Sequence, residues 1–271
     1  MKRLLLSATA LGMFFIACKD DENATQPQLV MKLMEHIITE TDSVAITYNG
    51  HHRISLYESR AKDGSTTYYA QPVYNNGIQT ELLVGVNSAS SLQKVVSLAY
   101  DNTNRLLKIN SYSQTSGMIV RHDSIAYDAV GRPEALYLAA PNAQGTLALF
   151  NRVALTWDGK GNLLRQTAIT IVNGKEIADT VTTNYTYDDR VNYLSRQLEL
   201  FLINPADASG FSSNNVLTRT ITHGKDSVTE TNVYTYDEDR YPVTKKSTIK
   251  TVTGGIVTTE TKSTRFRYTK R

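Results

Sequence analysis

Tyr127-Asp128-Ala129-Val130-Gly131-Arg132 repeats, 27 residues on, the pattern of Tyr100-Asp101-Asn102-Thr103-Asn104-Arg105. An alternating apolar segment ends in an aromatic residue. Asp or Asn follows, then two or three polar residues, then Arg or Asn and a new alternating segment. The unit recurs at Tyr48-Asn49, Trp157-Asp158, Tyr187-Asp188 and Tyr236-Asp237. Residues two and four before each aromatic share its strand face, so Val44 and Ile46, Val96 and Leu98, and Val153 and Leu155 mark one buried face. Asp or Asn after the aromatic accepts backbone N–H bonds two residues on. Gly131, Gly161 and Asn104 tolerate the left-handed conformation that the turn needs.

Turns of the opposite sense fall between these units at Asp63-Gly64, Ser116-Gly117, Asn173-Gly174, His223-Gly224 and Gly254-Gly255, and between Asn142 and Gly145. Tyr100, Tyr127, Trp157 and Tyr187 lie 27, 30 and 30 residues apart, and Tyr74-Asn75-Asn76-Gly77 divides the 52 residues from Tyr48 to Tyr100 in two. The 49 residues between Tyr187 and Tyr236 read as a long Asn, Ser, Gly and Ala-rich loop over 204–215 with a short strand. This is an all-β chain: a long antiparallel meander of repeated hairpins, forming a strongly twisted curled sheet or open barrel. The hydroxyl-rich face carrying Thr182, Asn184, Thr186, Thr229, Thr231 and Thr235 stands against a lipid-facing band. Arg265 and Arg267 in the last strand read as protection of a free edge.

These turns resemble the tyrosine-aspartate turn of RHS/YD-repeat proteins, including repeat lipoproteins of Bacteroidetes-type bacteria. The resemblance implies an extended, curled antiparallel sheet, which closes into a shell around cargo in the large members. Trp157 in place of tyrosine, Asn162 and Asn192 in place of arginine, and the missing glycine after Tyr187 depart from that pattern.

The N-terminus gives an address. Lys2 and Arg3, an apolar run over 4–15 and Ala17 before Cys18 read as a lipoprotein export signal over 1–17, too short to span a bilayer as a mature helix. Residues 18–28 are a lipidated cysteine and flexible tether, and 29–271 a single repeat domain. Lys19-Asp20-Asp21-Glu22 resembles the tetrad that follows the lipidated cysteine of surface-displayed lipoproteins, which implies export to the exterior of the outer membrane. The expected partners are the membrane, through lipid on Cys18, the lipoprotein processing and export machinery, and a glycan or protein ligand.

Composition narrows the chemistry. Hydrophobic residues are 41% and charged residues 20%, ordinary values for a globular chain. Without Lys2 and Arg3, 27 basic residues face 26 acidic ones, which excludes a phosphate-tracking surface and hence nucleic acid. Cys18 is the only cysteine, so no internal disulfide forms. No nucleophile elbow, phosphate loop or zinc spacing is present, and no cofactor or metal is expected. His51-His52 would point to opposite faces of a strand, and His122-Asp123 reads as a solvated or cross-strand pair. The repeated acids Asp101, Asp128, Asp158, Asp188 and Asp237 read as turn caps rather than catalytic carboxylates. Of sixteen tyrosines most end repeats, while Tyr68, Tyr69, Tyr112, Tyr137 and Tyr193 are candidates for stacking on a ligand.

The leading expectation is a non-enzymatic lipoprotein scaffold. An apolar-ligand carrier with a groove in a curled sheet is the alternative, and a hydrolase using Glu199 and Asp207 beside the 204–215 loop is a third possibility.

Overall fold

A computed structural model describes residues 32–192, 194, 199 and 208–270. Cys18, the Lys19 to Glu22 tetrad, Tyr193 and Asp207 lie outside the described residues. Sixteen antiparallel strands follow chain order: β1 Lys32–Ile38, β2 Asp42–Tyr48, β3 Ile54–Ala61, β4 Thr67–Asn75, β5 Ile78–Val86, β6 Gln93–Tyr100, β7 Leu106–Tyr112 and β8 Ile119–Tyr127 come first. β9 Pro133–Pro141, β10 Leu147–Trp157, β11 Leu163–Val172, β12 Lys175–Val191, β13 Asn214–His223, β14 Asp226–Tyr236, β15 Pro242–Thr253 and β16 Ile256–Lys270 complete the set. Each strand pairs with the next, and β1 pairs with β16, so the meander closes into a barrel.

Closure corrects the edge reading of the last strand. Arg265 and Arg267 sit opposite Ile38 and His36 of β1, inside a paired ladder. Residues 256–264 of β16, beyond the end of β1, have no strand on that side among the described residues. At this seam Lys32, at the start of β1, places Nζ 2.7 Å from Asp237 and 2.6 Å from Asp239 in the turn between β14 and β15.

The alternation read from the sequence is the inside-outside alternation of the wall. Val44, Ile46, Leu98, Val153 and Leu155 are buried on the enclosed face, and Tyr48, Tyr100 and Trp157 pack with them. Among the described residues three apolar clusters line the enclosed face. One is built on Met34, Ile54, Leu82 and Phe266, one on Leu98, Leu106 and Ile125, and one on Val153, Leu155, Leu163 and Tyr185. Leu163 is fully buried in the last of these. Leu163→Ala leaves a void there and should lower unfolding stability by about 3 kcal/mol in urea titration.

The opposite face is wet. Asn184, Thr186, Thr231, Thr235, Lys246, Thr248, Lys250, Arg265 and Arg267 are all exposed on it. Thr186 hydrogen-bonds Thr218 across β12 and β13 at 2.6 Å, and Thr235 bonds Thr244 across β14 and β15 at 2.6 Å.

Candidate functional site: the latched rim and its insertion

The repeat-ending aromatics use their polar tips in one way, except at Tyr236, whose hydroxyl goes to Asp188 and whose place Tyr234 takes. Tyr48 donates its hydroxyl to the Met34 carbonyl, Tyr74 to Ile54, Tyr100 to Gln79, Tyr127 to Leu106, Tyr187 to Leu163, Tyr234 to Val216 and Tyr268 to Pro242. Trp157 donates Nε1–H to Pro133. All eight bonds measure 2.5–3.0 Å. From Tyr74 onward the acceptors follow a rule. Ile54 pairs with Tyr48, Gln79 with Tyr74, Leu106 with Tyr100, Pro133 with Tyr127, Leu163 with Trp157, Val216 with Tyr187 and Pro242 with Tyr236. Each ring therefore latches onto the strand that begins after the preceding aromatic's turn. Trp157 keeps this role because an indole N–H can replace a phenol as donor.

The turns between these strands are near copies. Oδ1 of Asn49, Asp101, Asp128, Asp158 and Asp237 accepts backbone N–H bonds from the residues two and four positions later, at 2.7–3.1 Å. The residue three positions on is left-handed in all five, at His52, Asn104, Gly131, Gly161 and Arg240. At Arg240 a side chain accepts that strain, while glycine meets it freely at two of the five. Arg105 and Arg132 return Nε to Oδ2 of their own turn acids at 2.7 and 2.9 Å. The backbone N–H of Arg105 is the leading cause that holds the Asp101 carboxyl well below its usual range, and that of Arg132 does the same for Asp128. These acids are turn caps, as their spacing predicts.

One turn is opened. After Tyr187-Asp188 the chain does not return at once: β13 starts at Asn214, and Asn215 N donates to Asp188 Oδ1 at 3.1 Å in place of the residue four positions on. Asp188 also accepts from Arg190 N at 2.9 Å, from Asn215 Nδ2 at 3.2 Å and from the Tyr236 hydroxyl. Burial, then this bond to Asp188, pushes the Tyr236 hydroxyl up. The asparagines that break the repeat pattern hold the insertion. Asn162 exchanges bonds with Asn214 at 3.0 Å in both directions, and buried Asn192 donates Nδ2 to the Ser212 carbonyl at 3.0 Å. The fully buried Ser212 hydroxyl donates to Tyr187 Oη at 2.9 Å and accepts from Leu163 N at 3.0 Å, while Phe211 packs on the Leu163 cluster.

Two further residues of the insertion lie against the opposite wall. Leu194 packs on the Met34 and Ile54 cluster. Glu199, buried, meets Arg53 Nη1 at 3.1 Å. Burial, followed by the Glu199 charge, raises the hydroxyls of Tyr74 and Tyr100, the latter to about 12. β12 and β4 stand eight strands apart in a ring of sixteen, so Leu194 and Glu199 lie across the mouth from β12 at the latched rim. The sequence reading placed a loop with a short strand over 204–215; of that span the described residues form a short helical turn, Ala208–Phe211, and the start of β13.

The other candidates resolve into structure. His51 and His52 both lie in the Asn49 turn, and His122 Nδ1 sits 2.6 Å from Asn110 Oδ1 while Asp123 pairs with Arg121 at 2.7 Å. Tyr68 packs edge-on against Tyr57, 6.5 Å between centroids, and Tyr112 bonds Ser97 under the Lys94 ammonium. Tyr69 and Tyr137 are half-buried at mid-strand. On the enclosed face Glu230 lies 3.0 Å from Arg219 and 3.5 Å from Lys245, with Ser247 bonded to it at 3.3 Å. Among the described residues no three His, Cys, Asp or Glu side chains are grouped to hold a metal.

The barrel is similar to a porin-like protein from Bacteroides uniformis, with a TM-score of 0.56 and 10% identity over 87% of this chain and 98% of that one. The likeness is one of fold. A porin-like protein from Bacteroides vulgatus matches over the same shares at 10% identity with a TM-score of 0.38. The TcdB2-TccC3-Cdc42 structure matches at 12% identity with a TM-score of 0.26, over 81% of this chain and 15% of that one. No family model and no curated protein matches the chain.

Proposed function

We propose that this chain is a non-enzymatic lipoprotein of the outer membrane, of YD-repeat type. In this reading lipid on Cys18 holds it, the Lys19-Asp20-Asp21-Glu22 tetrad directs it to the cell exterior, and the barrel serves as an interaction scaffold for a glycan or protein. One observation carries the reading. Arg60, Lys94, Lys108, Arg165, Lys246 and Arg265 are exposed on strands all round the wall, where a membrane-embedded barrel would present an apolar band. The seven-residue strands β1, β2 and β7 add to it. At ~3.3 Å per residue and a tilt of ~40° they rise only ~18 Å, short of a ~25 Å band. A barrel that stands in water needs a separate anchor, which the leader supplies.

The tether leads into Lys32 at the latched rim, so the opposite rim, made of hairpin turns, is the one presented to partners. That rim is unusually apolar: Met118, Val120, Leu147, Leu149, Phe150, Val172, Ile177 and Ile256 are between 41% and 71% exposed there. The same residues favour a second reading, an apolar-ligand carrier, which requires lipid to co-purify with the native protein in mass spectrometry.

Protease treatment of intact cells tests the location. The native protein should be digested and a variant with the tetrad replaced by alanines should be spared. Protection of both would refute surface display. Cys18→Ala should release the protein from membranes under an alkaline wash, and a variant that stays bound would refute the anchor.

A further inference from the structure

β16 outruns the strand it closes against. β1 pairs with it only from Arg265 to Lys270, so between Ile256 and Thr264 it has β15 on one side and, among the described residues, no strand on the other. Edges of this kind are commonly blunted by proline, a bulge, charged side chains or a covering segment, and the charges here, Glu260 and Lys262, are of opposite sign. This one has no proline, its register against β15 runs without a shift, and every residue from 256 to 263 is exposed.

The phase of its free groups is fixed. Gly254-Gly255 forms a two-residue turn that makes Thr253 and Ile256 a hydrogen-bonded pair, so even-numbered residues of β16 bond to β15. The N–H and C=O groups of Val257, Thr259, Thr261 and Ser263 therefore point outward, in phase with Arg265 and Arg267, which face β1.

We infer that this edge adds to the same edge of a second copy of the chain, antiparallel, with Thr261 opposite Thr261 of that copy. In this register Thr259 meets Ser263 in both directions, and the outward groups form three bonded pairs. Glu260 lies opposite Lys262 of the second copy, twice over by symmetry. Their heads already share one face, Lys262 Nζ lying 2.9 Å from Glu260 within the chain. Sliding the copy by two residues either way sets Glu260 against Glu260 or Lys262 against Lys262, and sliding it by one puts the bonding groups out of phase. Charge complementarity thus selects one register and one partner. Five residues a side is a small contact, so the association is reversible.

The test uses the full chain in detergent with Cys18→Ala, which removes its only cysteine. Sedimentation should show a monomer–dimer equilibrium. Lys262→Glu and Glu260→Lys should each weaken it about tenfold or more, and an equimolar mixture of the two should recover it, because the altered charges then pair. Thr261→Cys should cross-link to itself on mild oxidation, its Cα atoms being ~5.5 Å apart across the dyad. Ser263→Cys should not, at ~14 Å. A chain that stays monomeric throughout, or single variants that self-associate as well as the parent, would overturn the inference. Because these positions are exposed, each variant should melt as the parent does.

Discussion

Above pH ~10 the barrel should unfold in one cooperative step, seen as simultaneous loss of far-ultraviolet dichroism and appearance of tyrosinate absorbance. Burial is the leading cause that raises the hydroxyls of Tyr57, Tyr68, Tyr74, Tyr100, Tyr127 and Tyr236, with Tyr57 and Tyr100 at about 12. In the unfolded chain the same groups lose their protons near pH 10. Between ~10 and ~12 the unfolded state therefore holds fewer protons than the folded one, and stability falls as pH rises. Four of the six, Tyr74, Tyr100, Tyr127 and Tyr236, donate their hydroxyl protons to a carbonyl or a carboxylate at the latched rim. A tyrosinate can no longer donate, so each ionisation also opens a latch or the Asp188 bond. Tyrosines that titrate independently near pH 10 with the fold retained would contradict the latch geometry. Tyr100→Phe removes one of these titrating groups, so stability should fall less steeply between pH ~10 and ~12.

Asp188→Ala should be the most damaging single change at the insertion, costing about 3–5 kcal/mol in urea unfolding. The carboxylate gathers Arg190 N, Asn215 N, Asn215 Nδ2 and the Tyr236 hydroxyl from three separate strands or turns. Alanine leaves the backbone N–H of Asn215, a residue 2% exposed, without an acceptor, and leaves its Nδ2 with the Val191 carbonyl alone. Asp188→Asn keeps an acceptor for two of the four donors and should lose about half as much. Asp101→Ala provides the contrast. Its turn is exposed and water can take over the orphaned amides, so the loss should be much smaller. Equal losses at the two sites would mean that the opened turn is no more than another hairpin.

The repeat itself was legible because turn chemistry is local. An aspartate that caps amides two and four positions on needs nothing beyond its own hairpin, and the buried face follows from two-residue periodicity. Closure was not legible, because pairing of β1 with β16 joins Lys32 to Lys270 and depends on the summed curvature of fourteen intervening strands. The latches were hidden for a different reason. A tyrosine at a strand end reads equally well as core packing, and its carbonyl partner lies between 14 and 26 residues upstream. The near-constant repeat length was the signal, since only a fixed spacing returns each ring to the same carbonyl. Asn162 and Asn192, which looked like decayed arginines, are the residues that bind the insertion.

The latches also bear on how the chain reaches its fold. Each one ties a hairpin to the hairpin just made, so fifteen strand pairings and all eight latches involve near neighbours in sequence. Such contacts carry little loop-closure entropy, and structure can spread along the chain in the manner of a solenoid. Among the described residues the non-local events that remain are the contacts of Leu194 and Glu199 with the opposite wall and the meeting of the first and last strands, where the Lys32 ammonium stands between Asp237 and Asp239. The number of hairpins is then set by curvature rather than by a shared centre, and a ring of this design can gain or lose one repeat while every surviving latch still finds its neighbour.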